Sequence, residues 1–130
     1  MNKIDLQPLL NLKNLLENSL VKLEEEKLDE LGKMGAIQAF EVSYELAWKT
    51  LQKILNQQGV EARSPRETFR LAAQFGYLDS PQVWFNFGQK RNLTTHTYQE
   101  EIIMHILNFL PSFVKELAKL IQSLRARSKE

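Results

Sequence analysis

Apolar residues recur at three- and four-residue steps along most of the chain, which is the spacing of one face of an α-helix. No segment alternates apolar and polar residues as a half-buried strand does, and no dipeptide typical of a tight hairpin turn is present. The pattern therefore predicts an all-α fold, an up-and-down helical bundle of about five helices.

The length of 130 residues fits one domain, so we expect a single helical domain over residues 1–130 with a frayed polar tail at 125–130. The absence of cysteine excludes disulfides, thiolate metal sites and a cysteine nucleophile. The N-terminus lacks the apolar run of a signal peptide, and no stretch is long enough to cross a bilayer. We therefore expect a cytoplasmic protein without a membrane partner.

The first two helices are predicted from their apolar spacing and from the glycines between them. The first runs from about Leu6 to about Glu30, with Asp5 as its cap. Gly32 and Gly35 interrupt the pattern, and a second helix with an aromatic stripe follows and ends before Gly59.

Three further helix starts are marked by capping residues. Ser64 precedes Pro65 and is followed by Glu67, the pattern of a capping box. The segment 79–81 begins a fourth helix, and Thr97 to Glu100 forms a second capping box that begins a fifth. Pro111 is predicted to kink or split that fifth helix.

The formal net charge is only +1, so the strong basic surface of a protein that binds long duplexes is missing. The cations nevertheless differ along the chain, because residues 1–60 contain Lys alone and all the arginines follow residue 60. Arginine forks onto phosphate oxygens better than lysine. Localised anion contacts in the second half are therefore compatible with the composition.

The segment 91–98 is the densest run of polar functional groups and contains one of the two histidines. On a continuous helix Arg91 and His96 would lie about 140° apart, so they meet one ligand only if the helix breaks between them. The capping box at 97–100 predicts that break and puts Tyr98 at the first position of the fifth helix. The free N–H groups and the positive dipole end there favour a phosphate.

Arg91 and His96 together are suited to cleaving RNA without a metal. Arginine can hold a phosphate and the extra charge of its transition state, and histidine exchanges a proton near neutral pH. One histidine cannot readily act as base and acid in the same step, but a two-fold dimer would supply two. Neither histidine has a nearby carboxylate cluster with ligand spacing, so we propose no metal site and no cofactor.

Other interpretations of the same residues stay open at this stage. An arginine and a histidine five residues apart occur by chance, and a loop histidine is more often a hydrogen-bonding or solvated group than a catalyst. Tyr44 and Trp48 could stack a nucleobase, although aromatic residues at helical spacing more often belong to a core. His105 is more simply explained by a surface ion pair with Glu101.

The run Arg91, His96, Tyr98 is similar to the R-x4-H-x-Y signature of the HEPN superfamily, and in particular of its HepT-like branch of nucleotidyltransferase substrate-binding proteins. The resemblance extends from about residue 37 to residue 110. Its further motifs are Gln38-Ala39-Phe40-Glu41, Tyr44-Glu45-Leu46-Ala47-Trp48-Lys49, Ser64-Pro65-Arg66-Glu67, Trp84, Asn92 and Gln99-Glu100.

The resemblance implies a dimeric helical bundle that acts as an RNase toxin on RNA, either tRNA or mRNA. It implies Arg91 and His96 as the catalytic pair and Asn92 as a phosphate-binding or orienting residue. Tyr98 would accept AMP from an MntA-like nucleotidyltransferase antitoxin, which silences the toxin. Two alternatives remain: a non-catalytic adapter that presents a substrate to a nucleotidyltransferase, and a dimeric scaffold in which Arg91 and His96 tie the last two helices together.

Overall fold

Five α-helices and one short 3₁₀ segment form the computed structural model, which describes residues 4–128. The described residues include no strand, so the predicted all-α bundle is confirmed. None of the helices within 4–128 has both the length and the apolarity to cross a membrane. The elements are α1 (Gln7–Glu24), α2 (Glu30–Gln57), α3 (Pro65–Gln74), α4 (Pro81–Leu93), the 3₁₀ segment Thr94–His96 and α5 (Glu100–Ser128).

Helix α2 lies at the centre of the bundle, because it packs against each of the other four helices. The predicted aromatic stripe of α2 is core: Phe40 is fully buried and its ring lies 4.8 Å from that of Phe113 on α5. Phe113 also contacts the rings of Phe87 and Trp84 on α4, at 5.0 and 5.9 Å. This edge-to-face cluster joins α2, α4 and α5 and so holds the end of α4 in place.

The boundary between α1 and α2 differs from the prediction. Helix α1 ends at Glu24, and Glu26 adopts the left-handed conformation with φ 57°, which no helix interior contains. Asp29 then caps α2, because its carboxylate accepts a hydrogen bond from the Gly32 N–H at 2.7 Å. The expectation that Gly32 and Gly35 interrupt the helix is therefore wrong, since both lie inside α2.

The predicted cap of α1 is displaced as well. The N-cap position is occupied by Leu6, whose side chain makes no capping bond. Asp5 lies one residue earlier and accepts a hydrogen bond from the Gln7 N–H at 3.0 Å. Asp5 therefore satisfies a free N–H group at the start of α1 from outside the cap position.

The predicted starts of α3 and α4 are confirmed. Ser64 Oγ accepts from the Glu67 N–H at 3.2 Å, and the Glu67 carboxylate accepts from the Arg63 N–H at 3.1 Å. The reciprocal bond thus goes one residue further back than in an ideal capping box. Ser80 precedes Pro81 in the same way that Ser64 precedes Pro65, but its side chain makes no capping bond.

These two serines make a matched pair for a stability test. Ser64→Ala removes a capping acceptor, so we expect the free energy of unfolding to fall by about 1 kcal/mol. Ser80→Ala removes a side chain with no capping bond, so it should change that free energy by less than about 0.5 kcal/mol. Urea denaturation followed by circular dichroism measures both. Equal losses in the two variants would contradict the capping role of Ser64.

Helix α5 is longer and more regular than the sequence pattern indicated. It continues through Pro111, so the predicted split does not occur; the buried residues Leu110 and Phe113 hold both halves against the core. It also extends to Ser128, so the tail expected to fray is helical as far as it is described, and residues 129 and 130 lie outside the described range. The Arg127 guanidinium lies over the Tyr77 ring, 4.3 Å from its centroid, and ties this end of α5 to the bundle.

Candidate functional site

The junction between α4 and α5 breaks the helix between Arg91 and His96, as predicted. Two threonines make the break: Thr94 Oγ1 donates to the Arg91 carbonyl at 2.7 Å, and Thr95 Oγ1 donates to the Asn92 carbonyl at 3.2 Å. Each hydroxyl satisfies a carbonyl that the next helical turn would otherwise use. A single 3₁₀ turn follows and ends at His96.

The start of α5 differs from the prediction. Thr97 has helical backbone angles rather than the extended angles of a cap, and no side-chain bond of a capping box joins Thr97 to Glu100 in the described structure. The Gln99 carbonyl accepts the first bonds of the helix, from the N–H groups of Ile102 and Ile103. Tyr98 therefore lies two residues before α5, and its predicted place at the first helical position is wrong.

His96 and Tyr98 form a pair on the surface of this junction. The His96 Nδ1 and the Tyr98 hydroxyl are 3.2 Å apart, within hydrogen-bonding distance, and the ring centroids are 5.8 Å apart in an edge-to-face arrangement. Both side chains are exposed, and Tyr98 keeps 78% of its surface in solvent. The imidazole and the phenol can thus be reached from solution together.

Arg91 lies in the last turn of α4. It is half-buried and, with Asn92, lines an open groove of about 480 Å³ between α2, α3 and α4. No hydrogen bond joins Arg91 to His96 within residues 4–128. The structure therefore pairs His96 with Tyr98 and places Arg91 with Asn92 in the groove, and within the described residues no direct bond joins the arginine to the histidine.

The groove, which we call the α2–α4 groove, is formed by Tyr44 and Glu45 of α2, residues 64–66 at the start of α3, and one face of α4. On α4 the lining residues include Phe85, Gly88 and Asn92, which recur at helical spacing. Arg66 contributes from α3, and its guanidinium carbon lies 4.1 Å from the centroid of the Phe85 ring. The groove thus has one arginine on each side.

Tyr44 belongs to the core through its ring and to the groove through its hydroxyl. The residue is only 6% exposed and its ring lies 5.8 Å from that of Phe69, so the core interpretation is confirmed. A Cβ on Gly88 would lie 2.7 Å from the Tyr44 oxygen, which explains the glycine at that position. Burial raises the pKa of the Tyr44 phenol and Glu45 adds to the rise, whereas Arg91 opposes it. The hydroxyl is therefore protonated at neutral pH and can donate.

The second histidine links α4 to α5. Lys90 Nζ lies 2.8 Å from His105 Nε2 and donates to it, so the predicted ion pair between His105 and Glu101 is wrong. The bond tying α4 to α5 is thus made by Lys90 and His105. Within the described chain no group of three or more His, Cys, Asp or Glu side chains could hold a metal ion.

Sequence reasoning missed Arg66 and Phe85 as groove residues. The sequence marks Arg66 only as one of the arginines open to anion contacts and as part of the Ser64 to Glu67 motif, and it does not mark Phe85. An additional aromatic residue next to Trp84 on α4, with an arginine just after a helix cap elsewhere, was the available signal. Only the packing of α3 against α4 shows that the two side chains meet.

Comparisons with known proteins agree on the family. Residues 5–126 match the family described as nucleotidyltransferase substrate binding protein like. The probable ribonuclease HepT of Haemophilus influenzae is 32% identical in an alignment 99 residues long, which covers 72% of this chain and 68% of that protein.

Two solved structures share the fold. One is a Thermus thermophilus protein with a TM-score of 0.71 and 32% identity, covering 85% of this chain and 98% of that one. The other is a Haemophilus influenzae protein described as the fold of a substrate binding domain of a nucleotidyltransferase. It has a TM-score of 0.85 and 26% identity, covering 93% of this chain and 99% of that one. The chain therefore belongs to the nucleotidyltransferase substrate-binding protein family, in its HepT-like group.

Proposed function

We propose that this protein is a metal-independent endoribonuclease toxin that works as a homodimer. Arg91 and His96 act as the catalytic pair and Asn92 helps to hold the phosphate. The observation that carries the proposal is the exposed His96, hydrogen-bonded to Tyr98 one turn beyond Arg91 and Asn92. Its support from relatives is the match to the probable ribonuclease HepT.

The reaction needs a proton taken from one oxygen and a proton given to another. A base removes the proton of a ribose 2′-hydroxyl, and the 2′-oxygen attacks the adjacent phosphorus. The bond from phosphorus to the 5′-oxygen breaks, and an acid protonates the leaving 5′-oxygen. The products are a 2′,3′-cyclic phosphate and a 5′-hydroxyl, so the reaction consumes no water. Arg91 stabilises the extra negative charge on the phosphate during the transfer.

A two-fold dimer would supply the two proton carriers that the reaction needs. Within one chain Arg91 faces the α2–α4 groove, whereas His96 lies on the exposed turn. In an isologous dimer that brings two such junctions together, each copy supplies one histidine, one acting as base and the other as acid.

We further propose that an MntA-like nucleotidyltransferase inactivates the toxin by adenylylating Tyr98. The phenol oxygen attacks the α-phosphorus of ATP, pyrophosphate leaves, and the phenol proton is released. The exposure of Tyr98 gives the partner access. Because the same oxygen bonds to His96, an added AMP would remove that bond and place a phosphodiester beside the imidazole, where the RNA phosphate would otherwise lie.

The three tyrosines of the chain provide the controls for this modification. After incubation with the nucleotidyltransferase encoded beside the protein and ATP, we expect an AMP-sized mass gain on the peptide that contains Tyr98. Tyr44 and Tyr77 are buried and should stay unmodified. Tyr98→Phe should abolish the gain and leave a protein that the partner cannot silence. A mass gain on any other residue, measured by tandem mass spectrometry, would contradict the assignment.

Cleavage itself is tested with the unmodified protein in EDTA. Incubation with tRNA and with mRNA should give fragments that end in 2′,3′-cyclic phosphate, identified by their resistance to ligation until the end is opened. RNA that stays intact under all these conditions would overturn the ribonuclease proposal.

A non-catalytic adapter is the second candidate, because the family description and one structural relative both refer to substrate binding for a nucleotidyltransferase. It predicts tight binding to the nucleotidyltransferase without any RNA cleavage. The scaffold alternative has less support, since Lys90 and His105 rather than Arg91 and His96 make the side-chain bond between α4 and α5.

A further inference from the structure

The α2–α4 groove contains two arginines that no carboxylate neutralises. Within the described residues, neither Arg66 nor Arg91 has an acidic group at salt-bridge distance. Glu45, the carboxylate that lines the groove, lies 3.8 Å from Lys49 and so has its own cation. Two arginines against one carboxylate leave the groove lining with a net positive charge, which is complementary to an anion.

The groove also contains a neutral hydrogen-bond donor. The ring of Tyr44 is buried, but its hydroxyl reaches the groove, makes no hydrogen bond with residues 4–128 and is open to solvent. Gly88 leaves the space that this oxygen occupies. A ligand atom in the groove can replace water as the acceptor for this hydroxyl.

Arg66 offers a flat stacking surface beside this donor. One face of its guanidinium lies over the Phe85 ring at 4.1 Å, which restrains the group in a defined plane, and the residue is exposed. Arginine planes stack on unpaired bases in single-stranded RNA and add charge for the backbone. The groove thus combines a stacking plane, a second arginine and a neutral donor.

The geometry points to this groove as the binding site for a nucleotide of single-stranded RNA that flanks the one being cut, with its base on Arg66 and its phosphate between Arg91 and the Tyr44 hydroxyl. The inference rests on the proposed ribonuclease function. Arg91 belongs both to the proposed catalytic site and to the groove, so it would set the direction in which the strand enters. A free nucleotide offers the same chemistry, so the experiment must separate the two sources.

The test measures binding of a 2′-O-methyl oligoribonucleotide, whose blocked 2′-oxygen cannot attack, to the full chain by fluorescence anisotropy. Arg66→Gln should weaken binding about tenfold, the size expected for losing a base-stacking plane, and Tyr44→Phe about fivefold, the size expected for losing a neutral hydrogen bond. The control is Arg70→Gln, which removes an exposed arginine of the same helix outside the groove and should bind as wild type does.

Each other outcome overturns the inference. Equal losses in Arg66→Gln and Arg70→Gln would show only a general charge effect. Unchanged binding in both groove variants, or no binding by wild type, would show that RNA does not use the groove. AMP that binds as tightly as the strand would assign the groove to a free nucleotide. Unchanged RNA binding with lost adenylylation of Tyr98 would assign it to the protein partner.

Failure of the inference is distinguishable from failure of the proposed function. The groove is judged by binding of a strand that cannot be cut, with circular dichroism melting to confirm that each variant is folded. The function is judged by cleavage of natural RNA by wild type. If wild type and both groove variants cut RNA with equal efficiency, the ribonuclease function would be supported and the groove would be excluded as an RNA-binding site.

Discussion

The substitution His96→Ala is expected to lower the rate of RNA cleavage about a thousandfold, the scale of a lost proton-transfer group. It removes the imidazole that we assign to proton exchange with the ribose 2′-oxygen and the 5′-oxygen. Because His96 is exposed and Tyr98 is its hydrogen-bonded neighbour, the variant should keep its fold and its melting temperature. Single-turnover cleavage of a labelled RNA in EDTA measures the rate.

The other histidine provides the matched control. His105→Ala also removes one exposed imidazole, but its partner is Lys90 on α4 rather than the Arg91 to Tyr98 segment. It should therefore cut RNA at close to the wild-type rate. Loss of activity in both variants, or in neither, would remove His96 from the catalytic pair, and a large fall in the melting temperature of His96→Ala would indicate a structural role instead.

The second large effect is on stability. Phe113→Ala should lower the free energy of unfolding by about 4 kcal/mol, because it leaves a cavity where three aromatic rings converge. Phe113 is fully buried, and its ring lies between those of Phe40, Phe87 and Trp84. A small domain has a total stability of only about 5–15 kcal/mol, so this variant should be close to unfolded at physiological temperature.

Leu31→Ala is the control for that cavity. Leu31 is also a large apolar residue, but it is 81% exposed, so its truncation should change the free energy of unfolding by less than about 0.5 kcal/mol. Urea denaturation of both variants provides the comparison. A loss below about 1 kcal/mol in Phe113→Ala would mean that the cluster does not hold α2, α4 and α5 together.

Particular residues show why some of the fold was predictable and some was not. Ser64 with Glu67 predicted the start of α3 correctly, because a capping bond forms between residues that are close in sequence. The same pattern at Thr97 and Glu100 failed, since the bonds of Thr94 and Thr95 end α4 first and leave Thr97 in a helical conformation. At Gly32 the opposite error occurred, because the sequence predicted an interruption where the helix begins. The Gly32 N–H donates to the carboxylate of Asp29, which caps α2.

Local sequence was enough to specify the all-α class, most helix positions and the break between Arg91 and His96, because helical periodicity and local hydrogen bonds act over a few residues. Packing between helices established that Arg91 shares a groove with Tyr44 and Arg66, and that His105 bonds to Lys90. These contacts depend on how α2, α3, α4 and α5 rotate as they pack around the buried aromatic cluster. Rotation of a helix about its axis is set by the fit of side chains from distant parts of the chain, which periodicity does not specify.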